Sequence, residues 1–359
     1  MLNSITSPLD GIRSPFGAIR NPFAAYAIGG QTPQTIADFE ADKYRANGTT
    51  STAASLLTHT RAGTATYTDS TGTLQTAASG ELRKDNHIWD GSSWVKRCLV
   101  EPQSTNLLLN SDTLATQNAT VTAALHTLHF TGTGTVTLSG ASTAGPLVGT
   151  GTGEQNRVSL QFTPTAGTLT LTVTGTVSNA QLETGVQTSY IPTAGSQVTR
   201  PEDALSIDST LLPYDSTAMT IAIEGEVTHQ NATSNTDFFV WEADADNRIT
   251  TLLDNTLPQF GNVTLIQEAS NTADVVRSGD DAYAPGINVP FNIASRHTSS
   301  DLNGAVDGTA LTADTTPTAL PDLSATDFQI APKGVVNIKS LRILGGYGAT
   351  DAELEAATT

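Results

Sequence analysis

Residues 167–183 read GTLTLTVTGTVSNAQLE. Threonine alternates with leucine or valine, so an extended chain here puts its apolar side chains on one face and its hydroxyls on the other. The same two-residue period runs through HFTGTGTVTLSGA at 129–141. A helix would spread this pattern around its circumference, whereas Thr and Val pack well on a pleated surface. Each apolar face must be covered by another, which calls for two sheets packed face to face. The chain therefore reads as all-β, and its 359 residues are enough for two or three units with cores of their own.

The N-terminus follows a different rule. SPLDGIRSPFGAIRNPFAAYA (7–27) is one seven-residue unit written three times. Its large apolar residues Leu9, Ile12, Phe16, Ile19 and Phe23 follow a three-four spacing, the period of a coiled-coil seam. Pro8, Pro15 and Pro22 forbid that helix, because an interior proline costs about 3 kcal/mol. An extended ribbon with a turn in each unit, presenting apolar knobs and Arg13 and Arg20, is the consistent reading. Such a ribbon has no core and must lie on a partner, so residues 1–30 are expected to be an anchor peptide that engages successive sites with avidity. Arg13, Pro15, Gly17, Arg20 and Pro22 interrupt the apolar run that a secretory leader would need.

Between these regions, 31–110 reads as a junction with hairpins leading into a first sandwich at 111–200. Residues 31–60 fit a short helix or a strand equally well. TATYTDSTGTLQTAA (64–78) and DNHIWDGSSWVKRCLVE (85–101) are hairpins, the second turning at Asp90-Gly91. Residues 201–213 read as a proline-bounded linker, and 214–359 as a second sandwich. DLNGAVDGTAL carries two turn signals, Asn303-Gly304 and Asp307-Gly308. Thr350 and Glu353 form a capping box for a short C-terminal helix.

Charge and cysteine content exclude some partners. There are 35 acidic residues against 17 basic ones, and the resulting field repels nucleic acid. No apolar run approaches the roughly 20 residues of a membrane-spanning helix, so no membrane insertion is expected. Cys98 is alone, so no intrachain disulfide forms and folding in a reducing cytoplasm is expected.

Three stretches carry a resemblance. Thr60, Arg61, Ala62, Thr64, Ala65, Thr66, Tyr67 and Asp69 match a TRASTATYVD-type hairpin, and Val100, Glu101, Thr105–Leu109 and Ser111 match a LLIEEARTNLLLYS-type strand. NAQLETGVQTSYIPTAGSQVTRPED (179–203) is similar to the closing signature of the same group. The chain thereby resembles tailed-bacteriophage virion appendage proteins over roughly residues 55–359. Its last segment is similar to a laminin-G or concanavalin-type jelly roll, and 111–200 to a carbohydrate-binding module. The resemblance implies tandem jelly-roll β-sandwiches behind the anchor, displayed on the virion surface as a tail fibre, tail spike or head spike. It implies synthesis in the bacterial host cytoplasm and a homo-oligomer, by preference a trimer, joined through sandwich surfaces. The partners implied are other virion structural proteins (capsid, portal or tail) and host cell-surface polysaccharide. The family supplies no shared catalytic residues, so none is assigned.

Candidate site residues follow from chemistry. Sugar faces stack on aromatic rings, which singles out Trp241, Tyr283, Trp89 and Trp94 as glycan-binding candidates. For Trp241 and neighbouring Phe239 the competing reading is core, since alternate strand residues share a face. Glu242, Asp244, Asp246 and Asn247 offer alternating oxygens that suit calcium, against the simpler reading of a solvated acidic turn. His126 and His129 are three apart on a strand and point to opposite faces, which argues against zinc. Three functions follow: a glycan-binding appendage, a decoration or cementing protein with no outside ligand, and a glycan-degrading enzyme, the last without a visible catalytic constellation.

Overall fold

The computed structural model describes residues 21–231 and 234–359. The anchor residues Pro8, Leu9, Ile12, Arg13, Pro15, Phe16, Ile19 and Arg20 lie outside the described residues. The described chain is a β-sandwich protein with one short C-terminal helix.

Two large sheets form the main body. One runs, in spatial order, Thr309–Ala310, Leu302–Val306, Gly286–Thr298, Ala218–His229, Val335–Gly345, Thr35–Asp38, Lys43–Ala46 and Thr49–Ser51. Trp94–Val100 pairs with the same long strand through Val336 to Ile338, and Asn86–Trp89 pairs with Trp94–Val100. The facing sheet runs Thr272–Arg277, Asn262–Ala269, Asn247–Asp254, Thr236–Asp244, Phe328–Lys333, Ala204–Ile207 and Thr58–Thr60. Met219, Ile221, Ile223, Leu341 and Ile343 meet Phe239, Trp241, Ile249 and Phe328 in one dry core. A register shift between Asp237 and Phe239 lets the adjacent Phe238 and Phe239 both enter it, which strict alternation would forbid.

The outer face of the first sheet is also covered. Ala222, Ala294 and Ala305 present only methyl groups there, so the helix Asp351–Ala357 can seat Leu354 against them with Leu344 and Ile28. The expected capping box is present: the Glu353 carboxylate accepts from Thr350 N at 2.8 Å.

The smaller sandwich is spliced into the larger one. Its four-stranded sheet is Gln117–Val121, Gly167–Thr174, Thr135–Gly140 and Leu147–Val148, and its three-stranded sheet is Val158–Phe162, His126–Gly132 and Val177–Thr184. Leu169 and Leu171 are fully buried while Thr168 and Thr172 are exposed, as the alternation requires. Pairing of Ser104–Asn106 with Val198–Arg200 closes the neck of this insertion.

Three sequence expectations are corrected here. Residues 35–60 do not lead into the first sandwich; they add strands to both sheets of the larger one, Thr35 lying opposite Ile343 and Thr60 opposite Ala204. Residues 204–207 are a strand, not linker, because Leu205 and Ile207 face the core between polar neighbours. Asn303-Gly304 makes no turn. Gly304 sits inside a strand, where an added Cβ would come within 2.4 Å of Leu265 and 2.7 Å of the Ala294 carbonyl, so glycine serves close approach. The turn belongs to Asp307 and Gly308, with φ of 45° and 76°.

The third heptad lies on its own protein. Phe23 is buried with the Arg45 guanidinium 5.7 Å from its ring centre, and the Tyr26 hydroxyl donates to Asp38 at 2.6 Å. Pro22 stays exposed.

Among the described residues, His126, His129, His229 and His297 are buried in these sheets. Burial holds the His129, His229 and His297 imidazoles below their ordinary value, His297 down to about 3. The unfolded chain, with histidines titrating near pH 6.5, therefore takes up these protons first as pH falls. The stability tied to neutral His297 is present above about pH 6.5 and is lost below it, by about 2 kcal/mol between pH 7 and pH 5. Denaturant unfolding at the two pH values checks this, and His297→Gln is expected to flatten the slope. Equal stability of the parent protein at both values would contradict it.

Candidate functional site

Where the two sandwiches meet, the hairpins read from the sequence stand up and enclose a cleft of about 520 Å³. One wall is the pair Ala65–Thr68 and Leu74–Ala77, the next is Asn86–Trp89 and Trp94–Val100. Residues 154–157 and 187–190 of the smaller sandwich and 287–290 of the larger complete it.

Local chemistry fixes both hairpins. Asp69 accepts from Thr71 N and Oγ1, Thr73 N and Gln75 Nε2, and these bonds hold its carboxyl well below the usual range. Backbone and hydroxyl donors of Ser93 and Ser92 do the same for Asp90, bringing it down to about 2. Gly72, at φ 80°, lies under the Trp94 indole; an added Cβ would fall 2.5 Å from that ring, so the glycine is what allows the hairpins to touch. Asn86 bridges outward, accepting from Thr68 N and donating to Asn337 Oδ1 of the larger sandwich.

Trp89 and Trp94 form a tryptophan pair in the cleft, which Tyr67 and Tyr190 also line. The two indoles face each other across the strand pair, ring centres 5.5 Å apart and planes at 61°, with Trp89 39% exposed. An exposed tryptophan beside a half-buried one offers an apolar plate that a pyranose face can cover.

Beneath the cleft lies a buried ionic cluster. Asp203 accepts from Arg61 at 2.8 Å, His59 at 3.1 Å, Arg83 and the Glu101 amide, and Glu101 pairs with Arg83 at 2.6 Å and takes Ser189 Oγ at 2.6 Å. Burial alone would raise both carboxyls. For Asp203, His59, Arg83 and Arg61 outweigh it and hold it well below the usual range, and for Glu101, Arg200 and Arg83 outweigh it and hold it below its ordinary value. Arg61, Glu101, Arg200 and Asp203 come from the three stretches that carried the resemblance. Their convergence gives those motifs a structural role as the clamp joining hairpins, neck and both sandwiches.

The four aromatic candidates divide two and two. Trp89 and Trp94 line the cleft. Trp241 is fully buried, its Nε1 donating to the Thr326 carbonyl at 3.0 Å between Tyr214 and Phe328, and Tyr283 is 3% exposed with its hydroxyl on Asp307. These two are core residues and present no face to a ligand: a central strand points Trp241 at the opposite sheet, and Tyr283 enters the same core from the loop between Thr272–Arg277 and Gly286–Thr298.

Glu242, Asp244, Asp246 and Asn247 form a surface hairpin turn. Asp244 accepts from Asp246 N and Asn247 Nδ2, both at 2.9 Å, and Asn247 Oδ1 takes Ser270 N, so the turn uses these groups itself. Among the described residues, no three His, Cys, Asp or Glu side chains are gathered to hold a metal. His126 and His129 are on one strand as read; His129 Nε2 meets buried Glu183 at 2.9 Å, and His126 Nδ1 meets the Ala124 carbonyl.

Gln187, His87, Glu154 and Arg157 line the cleft and were not singled out in the sequence. Gln187 stands in the loop just before the SYIPT motif, and nothing in its local pattern distinguishes it from solvated glutamine.

No protein-family model matches the chain, and no curated protein does. Among solved structures, the Ruminococcus gnavus IT-sialidase carbohydrate-binding module CBM40 bound to α2,3-sialyllactose is similar over 40% of this chain and 83% of its own, at 14% identity and a TM-score of 0.31. NanB sialidase of Streptococcus pneumoniae is similar over 42% of this chain at 12% identity and a TM-score of 0.34, and the likeness spans about a quarter of that enzyme (26%). The receptor-binding domain of botulinum neurotoxin mosaic serotype C/D is similar over 44% of this chain and 39% of its own, at 10% identity and a TM-score of 0.35.

Proposed function

We propose that this protein is a structural appendage of a tailed-phage-type particle that binds host surface glycan in the cleft between its sandwiches. The observation that carries the binding half is the Trp89–Trp94 pair, standing open in a concave site on rigid, paired strands. The appendage half rests on the three sequence stretches and the proline-bearing N-terminal repeat. Binding is favoured over hydrolysis because the cleft's carboxylates are already held. Arg83 and Ser189 engage Glu101, Arg157 engages Glu154, Arg97 chelates Glu226, and Asp90 closes its own turn. A glycosidase needs a carboxylic acid and a carboxylate free to act on opposite sides of one bond.

The test is binding of the labelled full chain to host cells before and after periodate oxidation of their surface sugars. Saturable binding that periodate abolishes is expected. Trp89→Ala is expected to weaken it by about 2 kcal/mol, roughly thirty-fold in Kd, as truncating a central aromatic contact does. A chain lacking residues 1–20 is expected to bind sugar normally and to fail to join particles. No binding would leave a decoration protein as the better reading, and periodate-resistant binding would overturn the glycan as the ligand.

A further inference from the structure

The cleft's charge and hydrogen-bond inventory narrows what sugar it can take. Four carboxylates line it: Asp90, Glu101, Glu154 and Glu226. Arg157 is the arginine among the lining residues, and four of the five N–H groups of its guanidinium are committed. Nε and Nη2 grip Glu154 at 2.7 and 2.8 Å, while Nη1 donates to His129 Nδ1 and the Asn179 carbonyl, both at 2.9 Å. Arg83 and Arg97, behind the wall, are paired with Glu101 and Asp203 and with Glu226 and Glu40. A carboxylated or phosphorylated sugar would enter a negative field and find its one nearby guanidinium already engaged.

Two acceptors in the cleft wall stand without a donor. Gln187 Oε1 is buried in the cleft wall with no hydrogen-bond partner. His87 Nδ1 lies 2.9 Å from the Asp85 carbonyl, which can only accept, so the ring proton sits on Nδ1 and Nε2 is an acceptor. A buried acceptor without a donor is destabilising, and a ligand hydroxyl supplies the missing proton.

Resting on the glycan reading above, we infer that the cleft selects uncharged, hydroxyl-rich pyranosides, with Gln187 accepting a sugar hydroxyl beside the Trp89–Trp94 plate, and excludes glycans bearing carboxylate, sulfate or phosphate. Stacking is indifferent to charge; the negative field of a protein of formal charge −18, with Arg157 already engaged, is what discriminates.

The experiment is capture of the full chain on two immobilised oligosaccharide sets. One holds neutral glucose, galactose, mannose and N-acetylglucosamine oligomers, and the other holds matched oligomers bearing glucuronate, sialate or phosphate. Neutral members are expected to bind, with charged counterparts at least about ten-fold weaker. Gln187→Leu, which keeps the bulk and removes the acceptor, is expected to weaken the neutral ligand roughly ten-fold. Gln187→Glu, which keeps an acceptor, is expected to retain it. Glu154→Gln releases Arg157 and is expected to admit the glucuronate oligomers. Equal or stronger capture of the charged set would overturn the selectivity and leave the glycan reading standing. Full binding by Gln187→Leu would overturn the hydroxyl contact. Silence on both sets would overturn this inference together with the reading under it.

Discussion

Replacing Asp203 with alanine is expected to destabilise the protein by about 3–5 kcal/mol, the cost of removing one partner from a buried ionic network. The reason lies in what remains. Arg61 and Arg83 are dehydrated, and each donates to this carboxylate, as does His59. Glu101 alone would remain to balance Arg61, Arg83 and Arg200, all three of them buried. The buried Nε atoms of Arg83 and Arg200 already lack partners, so the site has no spare acceptors. Chemical denaturation followed at the tryptophans of the hairpins measures the loss, and a change below about 1 kcal/mol would mean water or a side-chain shift replaces the carboxylate. The pH sign agrees with the mutation. The folded carboxyls of Asp203 and Glu101 are held below their ordinary values, so their contribution is complete above about pH 4–5 and is lost as pH falls below that range.

Replacing Trp241 with alanine is expected to cost about 3–5 kcal/mol and to leave glycan capture per folded molecule unchanged. Trp241 is among the largest fully buried side chains; its removal leaves a cavity bounded by Phe328 and Tyr214 and strands the Thr326 carbonyl. Trp89→Ala is the complementary experiment. Its side chain is 39% exposed, so it is expected to lose sugar while changing stability by no more than about 0.5 kcal/mol. If Trp241→Ala abolished binding while its unfolding midpoint held, the core assignment would fall.

These two tryptophans show where the sequence stopped being legible. Both are flanked by strand-forming residues, and both suit a sugar platform by composition. A two-residue period says that Trp241 shares a face with Phe239, but not whether that face meets another sheet or water. For Trp89 and Trp94 the hairpin itself was readable, because Asp90-Gly91 is a local turn signal whose effect spans four residues. That the hairpin would line a cleft with residues 154–157 and 187–190 was not readable, since those contacts join segments far apart in sequence. The buried cluster is a middle case. Arg61, Glu101, Arg200 and Asp203 stood inside recognisable motifs, but only their convergence explains why charges are needed there.

The sequence by itself determined the local grammar: sandwich-forming alternation at 129–183, hairpins within 64–78 and 85–101, and a C-terminal helix capped by Thr350 and Glu353, all products of short-range sterics and hydrogen bonding. Tertiary structure decided which sheet each strand joined. Thr35–Asp38 pairs with Val335–Gly345 across about three hundred residues, with the Gln34 side chain donating to the Gly345 carbonyl. The physical reason is that loop-closure cost grows only with the logarithm of length. Near and distant partners therefore differ little in entropy, and the face that buries best chooses between them.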